Sequence, residues 1–385
     1  MKKHLIAAAV AGAFAVPAMA QVTVFGQVDV GYVMQEDSNA AGTAKLKSDG
    51  VGDGAHSGSR IGFRGEEDLG GGMKALFHLE YGVSPTSAGG LSTRTSSFNH
   101  QIGPAATAVG GTTLSVGSSG QSSTSLARQT FVGVSGGFGA ITLGYQYTNS
   151  YALASLSGYA NAETQGANYQ NAGAQSVNFG GRANMIQYTS PTVEGFKATL
   201  QRGQGAGRET AEVVSGGVVT GRDNVSMMSL RVDYAAGPLS AGVALTEADS
   251  QATGVVNTAK RSADQVQAAV SYNLGVARIA GTWLKNEDGG STTTTSNTEI
   301  EAQQITVTVP LGAFTLWAST GTGEATRAGT VGKTVDSSGS AFGARYALSK
   351  RTTLYALTGS EKDKKATGTT SYERERTVVG IHHSF

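Results

Sequence analysis

Apolar and polar residues alternate with a period of two along most of this chain. Ile305, Val307 and Val309 are separated by Thr306 and Thr308, with Gln304 before them. Val266, Ala268, Val270 and Tyr272 alternate with Gln265, Gln267, Ser271 and Asn273, and Ala269 interrupts the polar row. The same rhythm sets Phe196, Ala198 and Leu200 against Lys197, Thr199 and Gln201, and Val232 and Tyr234 against Arg231 and Asp233. It also sets Ile61 and Phe63 against Arg60, Gly62 and Arg64, and Phe77, Leu79 and Tyr81 against His78 and Glu80. Successive side chains of a strand face opposite ways, so the pattern predicts a sheet with one apolar and one polar face. The stretches run about eight to twelve residues, the length of a tilted strand that crosses a bilayer. After residue 20, no segment approaches the ~20 consecutive apolar residues of a membrane-spanning helix.

Turn residues fall between alternate pairs of these strands, at 68–72, 136–139, 190–192, 237–238, 273–275, 310–312 and 349–351. Gly and Pro in the first six supply the backbone angles that end a ladder. The other connections are long and polar, near 35–57, 84–126, 148–181, 204–224, 250–262, 288–298, 323–337 and 362–371. Seven short turns and eight long loops make fifteen connections and therefore sixteen strands. Short turns on one side and long loops on the other mark a transmembrane barrel, with the short turns periplasmic. The expected fold is all-β, a 16-stranded antiparallel transmembrane β-barrel with short periplasmic turns and long external loops. The last strand, about 372–385, must pair with the first, about 22–34, because an open edge in lipid leaves backbone groups unsatisfied. A soluble β-sandwich would also alternate, but it would rarely reach sixteen strands with loop lengths alternating so regularly.

The first twenty residues stand outside this pattern. Lys2 and Lys3 precede an apolar stretch, 5–16, that is too short to span a bilayer, and Ala18-Met19-Ala20 offers a cleavage site before Gln21. Residues 1–20 read as a secretory signal peptide and 21–385 as one barrel domain. The leader holds two of the 29 basic residues and no acid, so 27 remain against 28 acids, a net charge of −1. That balance argues against a nucleic-acid partner. There are no cysteines, hence no disulfide framework and no thiol chemistry. Glycine, 55 of 385 residues, is about twice its usual share, and proline is only 6, which suits strands and polar loops.

Several segments resemble the trimeric general porins, particularly the β-proteobacterial group. Ser59-Arg60-Ile61-Gly62-Phe63-Arg64-Gly65-Glu66-Glu67-Asp68-Leu69-Gly70 is similar to their second strand and turn. Ala127-Arg128-Gln129-Thr130-Phe131-Val132-Gly133, followed by Gly137-Phe138-Gly139, is similar to their fourth strand and turn. Gln21-Val22-Thr23-Val24-Phe25-Gly26 resembles their opening strand, and the terminal Phe385 their C-terminal assembly signal. The likeness spans the mature chain. It implies a homotrimer in the outer membrane, bathed in lipid and lipopolysaccharide. It also implies a third external loop folded into the lumen, and passive transport of ions and small hydrophilic solutes through a water-filled pore.

The resemblance implies a pore lined by Arg60 and Arg128 on the basic wall and by Glu80. Alternation supports Arg60, opposite in phase to Ile61 and Phe63, and extends the same face to Arg64. Arg128 is read as sharing a face with Thr130 and out of phase with Phe131. Arg182 follows the long third loop, where the family often has a basic wall residue. Alternation puts it on the face of Ile186 and Tyr188, so an inward position needs a bulge or a later strand start. The third loop, about 146–181, holds one acid, Glu163, and Tyr145 stands where relatives often carry arginine. Arginines facing an acid-poor loop would favour anions by Coulomb attraction.

No catalytic residues, cofactor or metal are expected. His382 and His383 are adjacent and face opposite ways on a strand, while His4, His56, His78 and His100 are scattered. Gly70-Gly71-Gly72 has no helix after it to hold a phosphate. Tyr81, Tyr234, Tyr272, Trp283, Tyr346 and Tyr355 read as interfacial anchors. The alternatives to a general pore are a substrate-selective channel, a barrel enzyme or an adhesin.

Overall fold

The computed structural model describes residues 21–39, 45–53, 56–86, 94–95, 124–125, 127–157, 182–204, 210–215, 218–253, 258–291, 298–327, 333–365 and 372–385. Residues 1–20, Glu163 and most of the 84–126 connection lie outside these residues.

The wall is one closed antiparallel sheet. Its strands are β1 (Gln21–Asn39), β2 (Lys45–Asp53), β3 (Arg60–Gly70), β4 (Met73–Gly82), β5 (Ala127–Gly136), β6 (Gly139–Tyr147), β7 (Arg182–Thr189), β8 (Phe196–Gln204) and β9 (Val218–Ala236). They continue as β10 (Leu239–Thr253), β11 (Thr258–Asn273), β12 (Arg278–Ser291), β13 (Thr298–Leu311), β14 (Phe314–Arg327), β15 (Lys333–Ala347), β16 (Thr352–Lys365) and β17 (Tyr372–Ser384). β2 and β3 share one place in the wall: β2 pairs with the far half of β1 and β3 with its near half. That gives sixteen positions. The ring closes where β1 pairs with β17, from Gln27 opposite Ser384 to Asn39 opposite Tyr372. Beyond that ladder, Gly26 and Phe385 exchange backbone hydrogen bonds of 3.1 and 3.0 Å.

The alternation sorts as expected. Val243, Leu245, Val266, Val270, Ile279, Ile305 and Leu316 are exposed on the outer wall, whereas Thr246, Gln265, Gln267, Thr282, Asn286, Gln304 and Ser319 are buried inside. On most strands the outward apolar run is three or four residues long, as in Ile279, Gly281 and Trp283 before Lys285. At ~3.3 Å per residue and a ~40° tilt such runs, about five to seven residues of strand, make a band roughly 13–18 Å tall, within the ~25 Å apolar band of outer-membrane barrels. Near the short turns the band ends in aromatic pairs, Phe196 with Tyr234 and Phe314 with Tyr346, whose ring centroids lie 4.6 Å apart.

Two expectations fail for physical reasons. The long connections are shorter than they read: β1, β9, β10, β14 and β16 run on into them, and β2 and Thr210–Ser215 are strands within them. Past the lipid both faces of a hairpin are wet, so the backbone ladder continues after the apolar alternation has ended. Tyr355, read as an interfacial anchor, points inward and is buried, donating a 2.7 Å hydrogen bond to Asp29. Its ring lies across Gly380 and its hydroxyl beside Gly31, where added side chains would meet them.

Candidate functional site

The inner wall of β3, β4 and β5 gathers charge at mid-height. Arg60 and Gly62 on β3 face Gly82 and Glu80 on β4, all in the inward phase. Glu80 is almost fully buried and is shared: Arg128 Nε approaches Glu80 Oε1 at 2.6 Å and Arg60 Nε approaches Oε2 at 3.4 Å. Arg60 Nη1 also donates to the Gly58 carbonyl at 3.2 Å, which accepts Gln27 Nε2 at 3.1 Å as well.

Arg128 reaches this cluster by a different route from the one its sequence suggested. Phe131 faces inward, stacked on His78, and Val132 and Val134 face out. Thr130 is in phase with Val132, so strict alternation would send Arg128 to the lipid. The ladder between β4 and β5 is interrupted: Glu80 pairs with Gln129 and Tyr81 with Ala127, leaving Arg128 without an opposite residue. This β-bulge re-aims one side chain, and it turns Arg128 onto Glu80.

Arg182 joins from the other side. β7 begins at Arg182 opposite Tyr147, in unbroken register to Thr189, with neither a bulge nor a later start. At this strand end the two side chains turn inward together. The Arg182 guanidinium sits 4.6 Å over the Tyr147 ring and 5.7 Å from that of Tyr151, a cation–π arrangement. The Tyr147 hydroxyl accepts from Arg128 at 3.2 Å and from Arg182 at 3.1 Å. Tyr147 and Tyr151 stack with centroids 4.6 Å apart and 12° between planes. Neither tyrosine carried a sequence signal beyond its place beside the third loop.

Tyr151 lies on α1 (Asn149–Ala154), the first turns of that loop, folded into the barrel. Burial, ahead of its neighbours' charges, holds its phenol above the usual tyrosine range. Thr148 caps the helix, accepting the Tyr151 N–H at 3.3 Å. The helix is pinned to the far wall. Leu153 packs on Ala244 and Ala269, close to Gly242. Asn149 donates its backbone N–H to Gln201 Oε1 at 2.9 Å and its Nδ2 to Ser229 Oγ at 3.1 Å and to the Thr199 carbonyl at 3.2 Å. Ser150 donates to Gln265, and Arg278 donates to the Leu156 carbonyl. The segment 149–157 contains no acid.

The sequence-predicted residues therefore divide. Arg60, Glu80, Arg128 and Arg182 come together. Arg64 shares the inner face but stands four residues below Arg60, ~13 Å along the strand, with its guanidinium 5.3 Å over the Phe25 ring. Glu163 lies outside the described residues. Sequence reasoning missed Asp29, which is fully buried and accepts from His56 N at 2.7 Å, from Ser57 N and from Tyr355. This fixes the inward elbow between β2 and β3 that carries Gly58. An acid in phase against Val28 and Val30 was its available signal.

A closed barrel, apolar outside and polar within, narrowed by an inserted loop opposite a basic wall, is a membrane channel. The sequence profile of the Gram-negative porins matches residues 7–366, and the chain belongs to that family. It is 30% identical to outer membrane porin protein 32 of Delftia acidovorans over the full length of both chains. An outer membrane porin of Bordetella pertussis is 28% identical over 75% of this chain and 70% of its own. Among solved structures, an anion-selective porin from Comamonas acidovorans superposes with a TM-score of 0.67 at 23% identity, covering 95% of this chain and all of that one. The trimer form of the Vibrio cholerae outer membrane protein OmpT gives 0.60 at 14% identity, over 95% and 99%. The protein is an outer-membrane porin, a passive channel for small hydrophilic solutes.

Proposed function

We propose that this porin is a general-diffusion pore whose constriction prefers anions, that Arg60, Arg128, Arg182 and Glu80 line that constriction, and that three copies assemble. The observation carrying the anion preference is the shared carboxylate. Arg60 and Arg128 both pair with Glu80, the one acid of the cluster, and Arg182 joins them through the Tyr147 hydroxyl, so three guanidiniums stand against one carboxylate and two positive charges are left uncompensated there among the described residues. A unit charge at ~4 Å in water contributes about 1 kcal/mol, roughly a fivefold bias in local ion concentration. The inserted helix adds no opposing acid. The Comamonas neighbour's description as anion-selective and the Vibrio neighbour's trimer form support the reading without carrying it. Residues 1–20 act as a cleaved leader in this proposal.

Single-channel current across a planar bilayer under a KCl gradient tests it. Open steps in groups of three, current proportional to salt, and a reversal potential on the anion side are expected. A cation-side potential would overturn the anion preference, and steps that never group would overturn the trimer.

A further inference from the structure

Below the constriction, towards the short turns, the inner wall holds a niche of about 570 Å3 lined by Thr23, Arg64, Glu66, His78, Phe131 and Thr142, among others. That volume falls within the ~300–1,000 Å3 range of small-molecule sites. A run of ring surface starts on two of its lining residues, Phe131 and His78, and continues to Phe25 beyond the lining. Phe131 and His78 stack with centroids 5.2 Å apart and 4° between planes. His78 and Phe25 follow at 5.2 Å and 43°. The run ends under Arg64, 5.3 Å over Phe25. One end of the niche is therefore apolar and the other cationic.

The charges are unevenly matched. Glu66 is paired with Lys74 at 2.8 Å. Arg64 is exposed and has no carboxylate partner among the described residues. His78 Nε2 is buried with no hydrogen-bond partner. The niche thus offers one free guanidinium, with a fork geometry suited to a carboxylate, beside a ring surface suited to a flat apolar body.

We propose that this niche is a binding subsite for aromatic monocarboxylates on the periplasmic side of the pore. The carboxylate pairs with Arg64 and the ring lies along Phe131 and His78. An aliphatic acid of equal charge gains the first contact and not the second. A dianion gains little more, because the niche carries a single unmatched charge. The subsite does not depend on the anion preference of the constriction, since a solute reaches it from the periplasmic side without passing Arg60 and Arg128.

Benzoate and acetate are the probes. Each is added to the short-turn side of the intact channel in KCl, and the open-channel current is followed. Benzoate is expected to lower the current saturably, and acetate at equal concentration to do so at least tenfold more weakly. Arg64→Gln, at an exposed position, and Phe131→Leu should each raise the half-blocking benzoate concentration at least tenfold. A variant that conducts has folded, so the current is its own folding control. Equal block by benzoate and acetate in the unaltered channel, or benzoate block that survives Arg64→Gln, would overturn the subsite. The chloride-to-potassium ratio, read on the same channels, reports separately on the constriction.

Discussion

Arg128 donates to Glu80 at 2.6 Å from the bulged position of β5, which has no residue opposite it on β4. The charge that faces the lumen there is aimed by an irregularity in the ladder. Arg128→Gln keeps a polar side chain and removes one of the two uncompensated charges. The anion-over-cation permeability ratio should fall about fivefold, read as a shift of the reversal potential towards the cation side under a KCl gradient.

Glu80→Gln should move the same potential the other way by a similar factor. It should also cost stability, because two guanidiniums lose their shared acceptor. Breaking a buried ion pair costs about 3–5 kcal/mol. Lumenal water screens part of this, so the midpoint of heat unfolding should drop by less than that figure implies. An unchanged midpoint with raised anion preference would mean that Glu80 acts through its field alone.

Tyr355→Phe removes the hydroxyl from Asp29 and leaves the rest of the ring over Gly380. A buried acceptor deprived of one donor costs about 1–3 kcal/mol. Circular dichroism should show a lower unfolding temperature in a barrel that still conducts.

Gly242→Leu puts a side chain where Leu153 packs; even a Cβ there would stand 2.6 Å from Leu153 Cδ1. The inserted helix should be displaced from its wall. Single-channel conductance should rise or become noisy, with the barrel's thermal unfolding little changed. Unaltered, quiet conductance would show that α1 does not set the width of the pore.

Intact mass of protein extracted from the outer membrane should match a chain beginning at Gln21. A mass that includes Met1–Ala20 would remove the leader assignment.

Much of the wall was legible because lipid imposes a strict rule on one face. Ile305, Val307 and Val309 could only be outward, and six of the seven turns followed from their glycines and prolines. The rule ends where the lipid ends. Residues 218–226 sit in a strand that no apolar alternation announces. Inside the barrel the rule weakens again. Tyr355 was read as outward because aromatics anchor at interfaces, yet its side chain fills the space left by two glycines. Arg128 was placed inside by family motif and by a phase that proved wrong for Phe131; the inserted residue that reconciles the two leaves no trace in composition or period. Arg182 depended on where a strand begins, which alternation cannot fix. Tyr147 and Tyr151 were legible only as part of a loop long enough to fold inward.

The hydrogen bonds between Gly26 and Phe385 give the molecule its latest possible moment of completion. Residues more than 350 positions apart must meet before the sheet loses its edges, so the seam is the most nonlocal pairing among the described residues. Closing so long a span is entropically costly, and topologies dominated by such contacts form slowly. Until the last strand has paired with β1, both edge strands offer unpaired backbone to any neighbour, which is the situation in which β-proteins aggregate. Loss of that single residue should therefore be felt first as slow or failed assembly during export, and only later, in barrels that do close, as a modest loss of strength.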